Sequence, residues 1–414
     1  MVTGRLFAAV FRKGTLVLIG PDGRRQVFGD GRPPQVTARA HDRRMLWRFV
    51  INPTLAIGEG YMDGTFTVES GEIYDFLDLA AANLGWGDTP GWLGGLSRLR
   101  GVVRRWQQHN SIGRARRNVA HHYDLSDEFY GLFLDADRQY SCAYFLRPDD
   151  SLELAQLRKK RHIAAKLLIE PGHKVLDIGS GWGGLGIYLA TVANAEVAGV
   201  TLSEHQRNFS EARVRAAGLT GRVRFKLQDY RLETDRYDRV VSVGMLEHVG
   251  VDYYGAYFRK IADLLTDDGV ALVHTIGRTD GPGATNPWLR KYIFPGGYSP
   301  ALSEIAPMIE RAGLYVTDIE VLRLHYAETL RAWRHRLRAN RAKVVALYDE
   351  RFFRMWEYYL AGAEVTFRHS GHMVYQIQLA KRQDAVPLAR DYIAAREAAY
   401  ARAEAAASRA SAAE

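Results

Sequence analysis

The sequence predicts an α/β protein, a mostly parallel sheet flanked by helices and preceded by a small α+β domain. Three features lead there. Val175–Ala190, VLDIGSGWGGLGIYLA, reads as an apolar strand, a turn of closely spaced glycines and the start of an apolar helix. From Lys174 onward, strand-like and helix-like stretches alternate in the manner of βαβ units. Before Trp86, short β-like runs broken by glycine give way to one helical stretch.

Residues 1–86 hold β-like runs at Thr15–Ile19, Gln26–Phe28 and Leu46–Ile51, then the glycine-punctuated GEGYMDGTFTV and the helical IYDFLDLAAANL. They show no cluster of His, Cys or paired carboxylates suited to metal binding or acid–base work. This part is expected to bind or present something, or to be purely structural. Residues 87–114 form a basic Gly/Trp-rich linker in which Arg98, Arg100, Arg104 and Arg105 are interleaved with Trp92, Leu96, Leu99 and Trp106. Such a run suits an anionic bilayer, a phosphate backbone or plain solvent.

In residues 115–383, strands are expected at Lys174–Ile178, Glu196–Val200, Val223–Leu227, Asp238–Val243 and Gly269–Ile276. Helices are expected at Gly184–Val192, Ser203–Ala217, Tyr253–Leu265, Ala327–Tyr348 and Arg351–His369. The helix from Ala327 is strongly basic, with Arg331, Arg334, Arg336, Arg338, Arg341 and Lys343 free to face phospholipid or solvent. Residues 384–414 read as an Ala-rich helix or frayed tail.

With 414 residues there is room for two domains with real cores. No apolar run reaches membrane-spanning length, and Arg5, Arg12 and Lys13 interrupt Met1–Gly20, so no signal peptide is expected. The single cysteine, Cys142, excludes an internal disulfide framework and fits a reducing compartment. The formal net charge of +9 suggests an acidic partner: nucleic acid, an anionic membrane surface, or nothing specific.

Ligands of open parallel sheets bind at the carboxyl ends of the strands. There the glycine turn, with Gly179 and Gly181, lets backbone approach a ligand. A dinucleotide site would want an acidic residue ending the second strand, but that strand ends in Val200-Thr201. A smaller adenosyl ligand fits better. Gln206 can reach ribose or carboxylate groups, Asp229 can accept from an exocyclic amine, Tyr230 can lie against an adenine face, and Asp177 suits a positively charged amino group. S-adenosylmethionine carries all these features and a sulfonium charge.

The order SCAYF, LDIGSGWGG, GVTLSEHQ, QDYR, VSVGMLEHVG, HTIG, IFPGG and HYAETLRAW resembles the cyclopropane-fatty-acyl-phospholipid synthase family, which includes the mycolic acid cyclopropane synthases. The resemblance runs from about Ala115 to Gln383, and residues 1–86 resemble that family's lipid-associated N-terminal domain. It implies a Rossmann-like class I methyltransferase domain that moves the methyl of S-adenosylmethionine to a cis double bond of an unsaturated acyl chain. By the same resemblance Tyr140, Ser141, Gly179, Gly181, Thr201, Gln206, Gln228 and Tyr230 contact the cofactor, and Tyr123 belongs to a segment closing over it. Cys142, Glu247, His274, Ile276 and Tyr326 match positions that cradle a bicarbonate ion. One departure stands out: Ala363 occupies a position where the family often has a cysteine.

The chemistry asks for the same parts. An alkene is a poor nucleophile, and positioning can supply roughly 7–11 kcal/mol of such a barrier. Methyl transfer leaves positive charge on the acyl chain, so the site needs a dry apolar channel, aromatic faces and a base. Ring closure gives a cyclopropane; proton loss elsewhere gives a methyl- or methylene-branched chain. A small-molecule methyltransferase and a nonenzymatic nucleic-acid binder are the other classes weighed, the second made unfavourable by the aromatic, apolar stretch after the last strand. There Trp288, Leu289, Tyr292, Ile293 and Phe294, edged by Arg290 and Lys291, are expected to form the acyl-chain entrance beneath an anionic headgroup. The expectation is a cytoplasmic enzyme, peripheral on the inner face of the membrane, acting on phospholipid at an anionic surface, without nucleic acid, and with a homodimer made plausible by the resemblance.

Overall fold

A computed structural model describes residues 2–84 and 125–411. Its first unit begins with helix α1 (Val2–Val10), followed by strands β1 (Thr15–Ile19), β2 (Arg25–Gly29) and β3 (Gln35–Ala40). Helices α2 (Arg43–Ile51) and α3 (Pro53–Asp63) precede β4 (Phe66–Ser70) and α4 (Ile73–Leu84). The strands form one sheet in the order β2-β1-β3-β4, with β1 and β3 parallel and the outer pairings antiparallel.

Two local expectations are corrected here. Leu46–Ile51 is helical, because Asp42 caps the helix by accepting from Met45 N at 2.6 Å, and because Met45 and Phe49, one turn apart, are both buried. GEGYMDGTFTV splits between a helix and a strand: Gly64, at φ +73°, ends α3 in the left-handed conformation, and β4 starts two residues later.

The second unit follows from α5 (Asp127–Gly131) and α6 (Leu152–Lys166). Strand β5 (Lys174–Ile178), α7 (Gly184–Val192), β6 (Glu196–Thr201), α8 (Glu204–Ala216) and β7 (Val223–Leu227) build one half of a sheet. Strand β8 (Tyr237–Val243), α9 (Tyr254–Leu264) and β9 (Leu265–Arg278) build the other half. All five expected strands are present. Two more, β10 (Tyr315–Leu322) and β11 (His372–Ala380), add antiparallel at the β9 edge, giving the order β10-β11-β9-β8-β5-β6-β7. The central parallel strands are buried on both faces. Leu176, Ile178, Val240 and Val273 pack into one core, and Val175, Val197, Val241 and Leu272 into the other.

The remaining helices are α10 (Pro287–Tyr292), α11 (Leu302–Arg311), α12 (His325–Ala339), α13 (Arg341–Leu347), α14 (Glu350–His369) and α15 (Asp391–Ser411). The helix expected over Ala327–Tyr348 is broken at Asn340, where the backbone leaves helical geometry. Its arginines turn inward or into ion pairs instead of making a free basic face. Arg334 pairs with Glu364 (3.0 Å) and Glu72 (3.1 Å), Arg338 with Glu72 and Glu357, Arg336 with Glu153, Arg331 with Glu328 and Arg341 with Glu350.

The stretch expected as an open acyl entrance is also largely covered. Trp288 and Ile293 are buried, Trp288 lies against Tyr358 (4.7 Å, edge-on) and over Gly58, and Lys291 and Tyr292 reach Glu59 at 2.6 and 2.8 Å. Through these contacts, α14 packs on α3 and α4, and one hydrophobic cluster joins Phe7, Leu16 and Phe66 of the first unit to Trp288, Trp333 and Trp356 of the second. Among the described residues, no helix is long and apolar enough to cross a membrane.

The C-terminal segment is an ordered helix. Ile393 and Tyr400 enter the core behind β5, Tyr400 donates to Ile169 O at 3.0 Å, Glu397 meets His162 at 2.8 Å, and Glu404 pairs with Arg161. Truncation after Leu388 is therefore expected to lower the melting temperature by more than about 5 °C, measured by calorimetry; an unchanged midpoint would show that α15 contributes no stability.

Candidate active site

Strand order reverses at β5, which lies between β6 and β8, and a crevice opens there at the carboxyl ends of the parallel strands. Its walls include Tyr140, Ser141, Asp177, Gly179, Gly181, Thr201, Gln206, Gln228, Asp229 and Tyr230, so the cofactor residues expected from sequence converge on one place. Tyr123 lies outside the described residues.

The glycine run does two separate jobs. Gly179 and Gly181 line the crevice with φ of +83° and +53°, a conformation that side chains resist. Gly183 and Gly184 start α7 and make room for other side chains: a Cβ on Gly184 would sit 2.4 Å from Asp137 and Gln139. The loop before Ser141 can therefore close against the helix.

Individual side chains are partly committed. Thr201 donates to Gln206 Oε1 at 2.9 Å, which leaves the Gln206 amide nitrogen as a donor. Asp229 is partly engaged, because Arg231 holds both its oxygens at 2.8 and 2.7 Å. Asp177 is buried, and burial pushes its carboxyl up to about 7. Tyr140 shares a hydroxyl contact with Tyr359 at 3.1 Å and packs among Tyr130 and Trp333.

Beside the crevice, polar groups sit in an apolar interior. Glu247 follows β8 in a short 3-10 turn, 7% exposed, and its Oε1 accepts from Ile276 N at 2.6 Å. Two residues earlier on the same face of β9, His274 is buried, with Nδ1 3.2 Å from Gln376 Nε2. Glu247 Oε2, His274 Nε2 and Gln376 Oε1 are all buried without a hydrogen-bond partner. Burial pushes Glu247 up to about 7, holds His274 well below the usual imidazole range and brings the neighbouring His248 down to about 4.

Cys142 and Tyr326, the second on α12, belong to one buried cluster. Cys142 Sγ lies 3.3 Å from Ala143 O, Ala143 N donates to Thr329 Oγ1 at 3.0 Å, and Tyr326 packs edge-on against Trp333. Burial raises the Cys142 thiol, which keeps it from acting as a thiolate nucleophile. Ile276 packs against the cluster that holds Cys142 and Tyr326, linking the two groups.

Sequence reasoning missed Lys159, Gln139 and Gln376. Lys159 sits in the basic run RKKRH. Its spacing with Leu152, Ala155, Gln156 and Ile163 nonetheless places it on the buried stripe of α6, and that periodicity was the available signal.

A crevice at a sheet's switch point, floored by a glycine turn and flanked by a buried aromatic interior, defines a class I methyltransferase that uses S-adenosylmethionine. The model of the mycolic acid cyclopropane synthetase family matches residues 110–377, and the chain belongs to that family. It is 42% identical over 271 residues to the "Probable fatty acid methyltransferase" of Pseudomonas putida, covering 64% of this chain and 68% of that one. It is 37% identical to the cyclopropane-fatty-acyl-phospholipid synthase of Escherichia coli strain K12, covering 78% and 82%. The solved structure of mycolic acid cyclopropane synthase CmaA1 with SAH and CTAB superposes with a TM-score of 0.61 at 34% identity, covering 66% of this chain and 99% of that one.

Gly181→Val tests the crevice. A Cβ there meets nothing within 4 Å, so the fold should bear the strain of about 1–2 kcal/mol. Binding of S-adenosylhomocysteine is expected to weaken at least about tenfold by calorimetric titration. Unchanged affinity would remove Gly181 from the site.

Proposed function

We propose that this enzyme methylates the cis double bond of an unsaturated phospholipid acyl chain and closes it to a cyclopropane, with a bound bicarbonate as base. The observation that carries the reading is the trio of unpartnered buried atoms, Glu247 Oε2, His274 Nε2 and Gln376 Oε1, next to Ile276, which packs against the aromatic cluster. Unpaired buried polar atoms are costly, and three together fit a small polar ion with both donor and acceptor oxygens. With Gln376 donating to Nδ1, His274 keeps its proton on Nε2 and can donate to an anion. Glu247, near neutrality in its proton affinity, can share a proton with that anion without opposing it as a fixed charge.

S-adenosylmethionine supplies the electrophilic methyl group, and bicarbonate supplies a replaceable base. The chain's own contribution is positioning, exclusion of water and tolerance of positive charge. Tyr140, Trp333, Trp356, Tyr359 and Phe294 present ring faces and edges in one dry cluster, suited to a cation on the acyl chain. Cys142, held as a thiol, does not compete for that cation.

A membrane surface is the natural place to meet such a substrate. On α2, Trp47 and Ile51 are 64% and 74% exposed, next to the exposed Arg43 and Arg44. That pairing of apolar and cationic side chains suits the headgroup region of an anionic bilayer, and supports a peripheral enzyme on the cytoplasmic face with the first unit as its lipid-associated part. A second reading is a methyl- or methylene-branched product; the Pseudomonas putida relative is described as a probable fatty acid methyltransferase, a name that specifies no ring.

Incubation with methyl-labelled S-adenosylmethionine and monounsaturated phospholipid vesicles is expected to add one carbon and remove the double bond, read by mass spectrometry of the acyl chains. Glu247→Gln should lower the yield about 10²–10⁴-fold. Retained unsaturation would favour the branched product, and unlabelled lipid would overturn the substrate. Replacing Trp47 and Ile51 together by serine should weaken co-sedimentation with anionic vesicles about tenfold; no change would move the membrane contact elsewhere.

A further inference from the structure

Lys159 is 1% exposed on α6, yet among the described residues it forms no ion pair. Its Nζ donates to Gln139 Oε1 at 2.6 Å and to Ser141 Oγ at 2.8 Å, and both acceptor residues line the crevice. A buried ammonium without a counter-charge is costly.

Asp135 and Asp137 act on it from a distance, but among the described residues no carboxylate stands within ion-pair range of its Nζ. Asp137 is held by Lys160 and Arg213, and Asp135 accepts from the backbone amides of Asp137 and Gln139. Cys142 stays a thiol, His274 stays neutral, and Asp177 at the end of β5 is close to neutrality itself. The cations that line the crevice are already engaged, Arg138 by Asp127 and Arg231 by Asp229.

The amino-acid portion of S-adenosylmethionine is a zwitterion and needs one partner of each sign. Asp177, with its carboxyl pushed up to about 7, becomes the negative one when the ligand's ammonium beside it favours the ionised form. Ser141 Oγ takes a hydrogen bond from Lys159, so its own hydroxyl proton is free to serve as a donor. We propose that Lys159 is a positioning residue for the cofactor. Acting through Ser141 and Gln139, its ammonium is the counter-charge for the carboxylate of the cofactor's amino-acid portion. This inference rests on reading the crevice as the S-adenosylmethionine site.

Burial holds Lys159 down to about 8. A bound carboxylate favours the charged form, so above that pH binding requires proton uptake. Affinity for a carboxylate-bearing ligand then falls as pH rises, approaching about tenfold per unit.

The test is calorimetric titration of the full chain with S-adenosylhomocysteine and with its decarboxylated analogue, which keeps the amine. The wild type is expected to prefer S-adenosylhomocysteine, with a preference that shrinks between about pH 7 and pH 9. Lys159→Met should weaken S-adenosylhomocysteine about tenfold or more, leave the analogue within about twofold, and abolish the pH dependence of their ratio. Equal weakening of both ligands, or a flat wild-type ratio across that range, overturns the inference. If the variant fails to fold, the wild-type ratio decides alone. Failure of the wild type to bind S-adenosylhomocysteine would overturn the reading of the crevice itself, a different result from binding without preference.

Discussion

Charge held out of water is the constraint on which the rest of this structure depends. Asp177, Glu247, Lys159 and His274 all lie inside the protein within or beside one crevice. Each is displaced by burial toward its neutral form. Such groups are tolerated only where neighbours fix them, and the neighbours are visible: the Ile276 amide for Glu247, Gln376 for His274, Ser141 and Gln139 for Lys159. A site of this kind is poised to respond to ligands that carry charge or protons, because each one bound favours a charge that burial suppresses.

The aromatic cluster and the covering helices follow from that constraint. Keeping water from these groups takes bulk, and Trp333 and Trp356 on α12 and α14 provide it, closing over Tyr140 and Phe133. Helix α14 has a second face, occupied by the first unit: Glu357 accepts from Tyr61, Tyr358 packs on Tyr61 and Trp288, and His369 meets Asp78. The small sheet is thereby part of the same packing problem as the site.

Much of this was legible in the chain. The apolar strand and glycine turn at Val175–Gly184 stand out because strand, turn and helix each carry their own signal, and the crevice residues follow from strand ends. Strand β11 did not stand out, since Gln376 and Gln378 interrupt its apolar pattern although both are fully buried. Helix α2 was misread because LWRFVI is rich in residues that favour strands, and a single aspartate cap with two core contacts outweighs that preference. The basic face of α12 was illegible for another reason: its partners, Glu72, Glu153, Glu357 and Glu364, are scattered along the chain and meet it only in the folded state.

The shared face of α14 also bears on how this protein can be handled. Cutting the chain between the two units would strip Gly58 from Trp288 and Tyr61 from Tyr358, baring adjoining aromatic rings on a surface now dry. An excised catalytic half would carry a sticky patch and would tend to self-associate during purification, so production of the enzyme is best planned around the undivided chain.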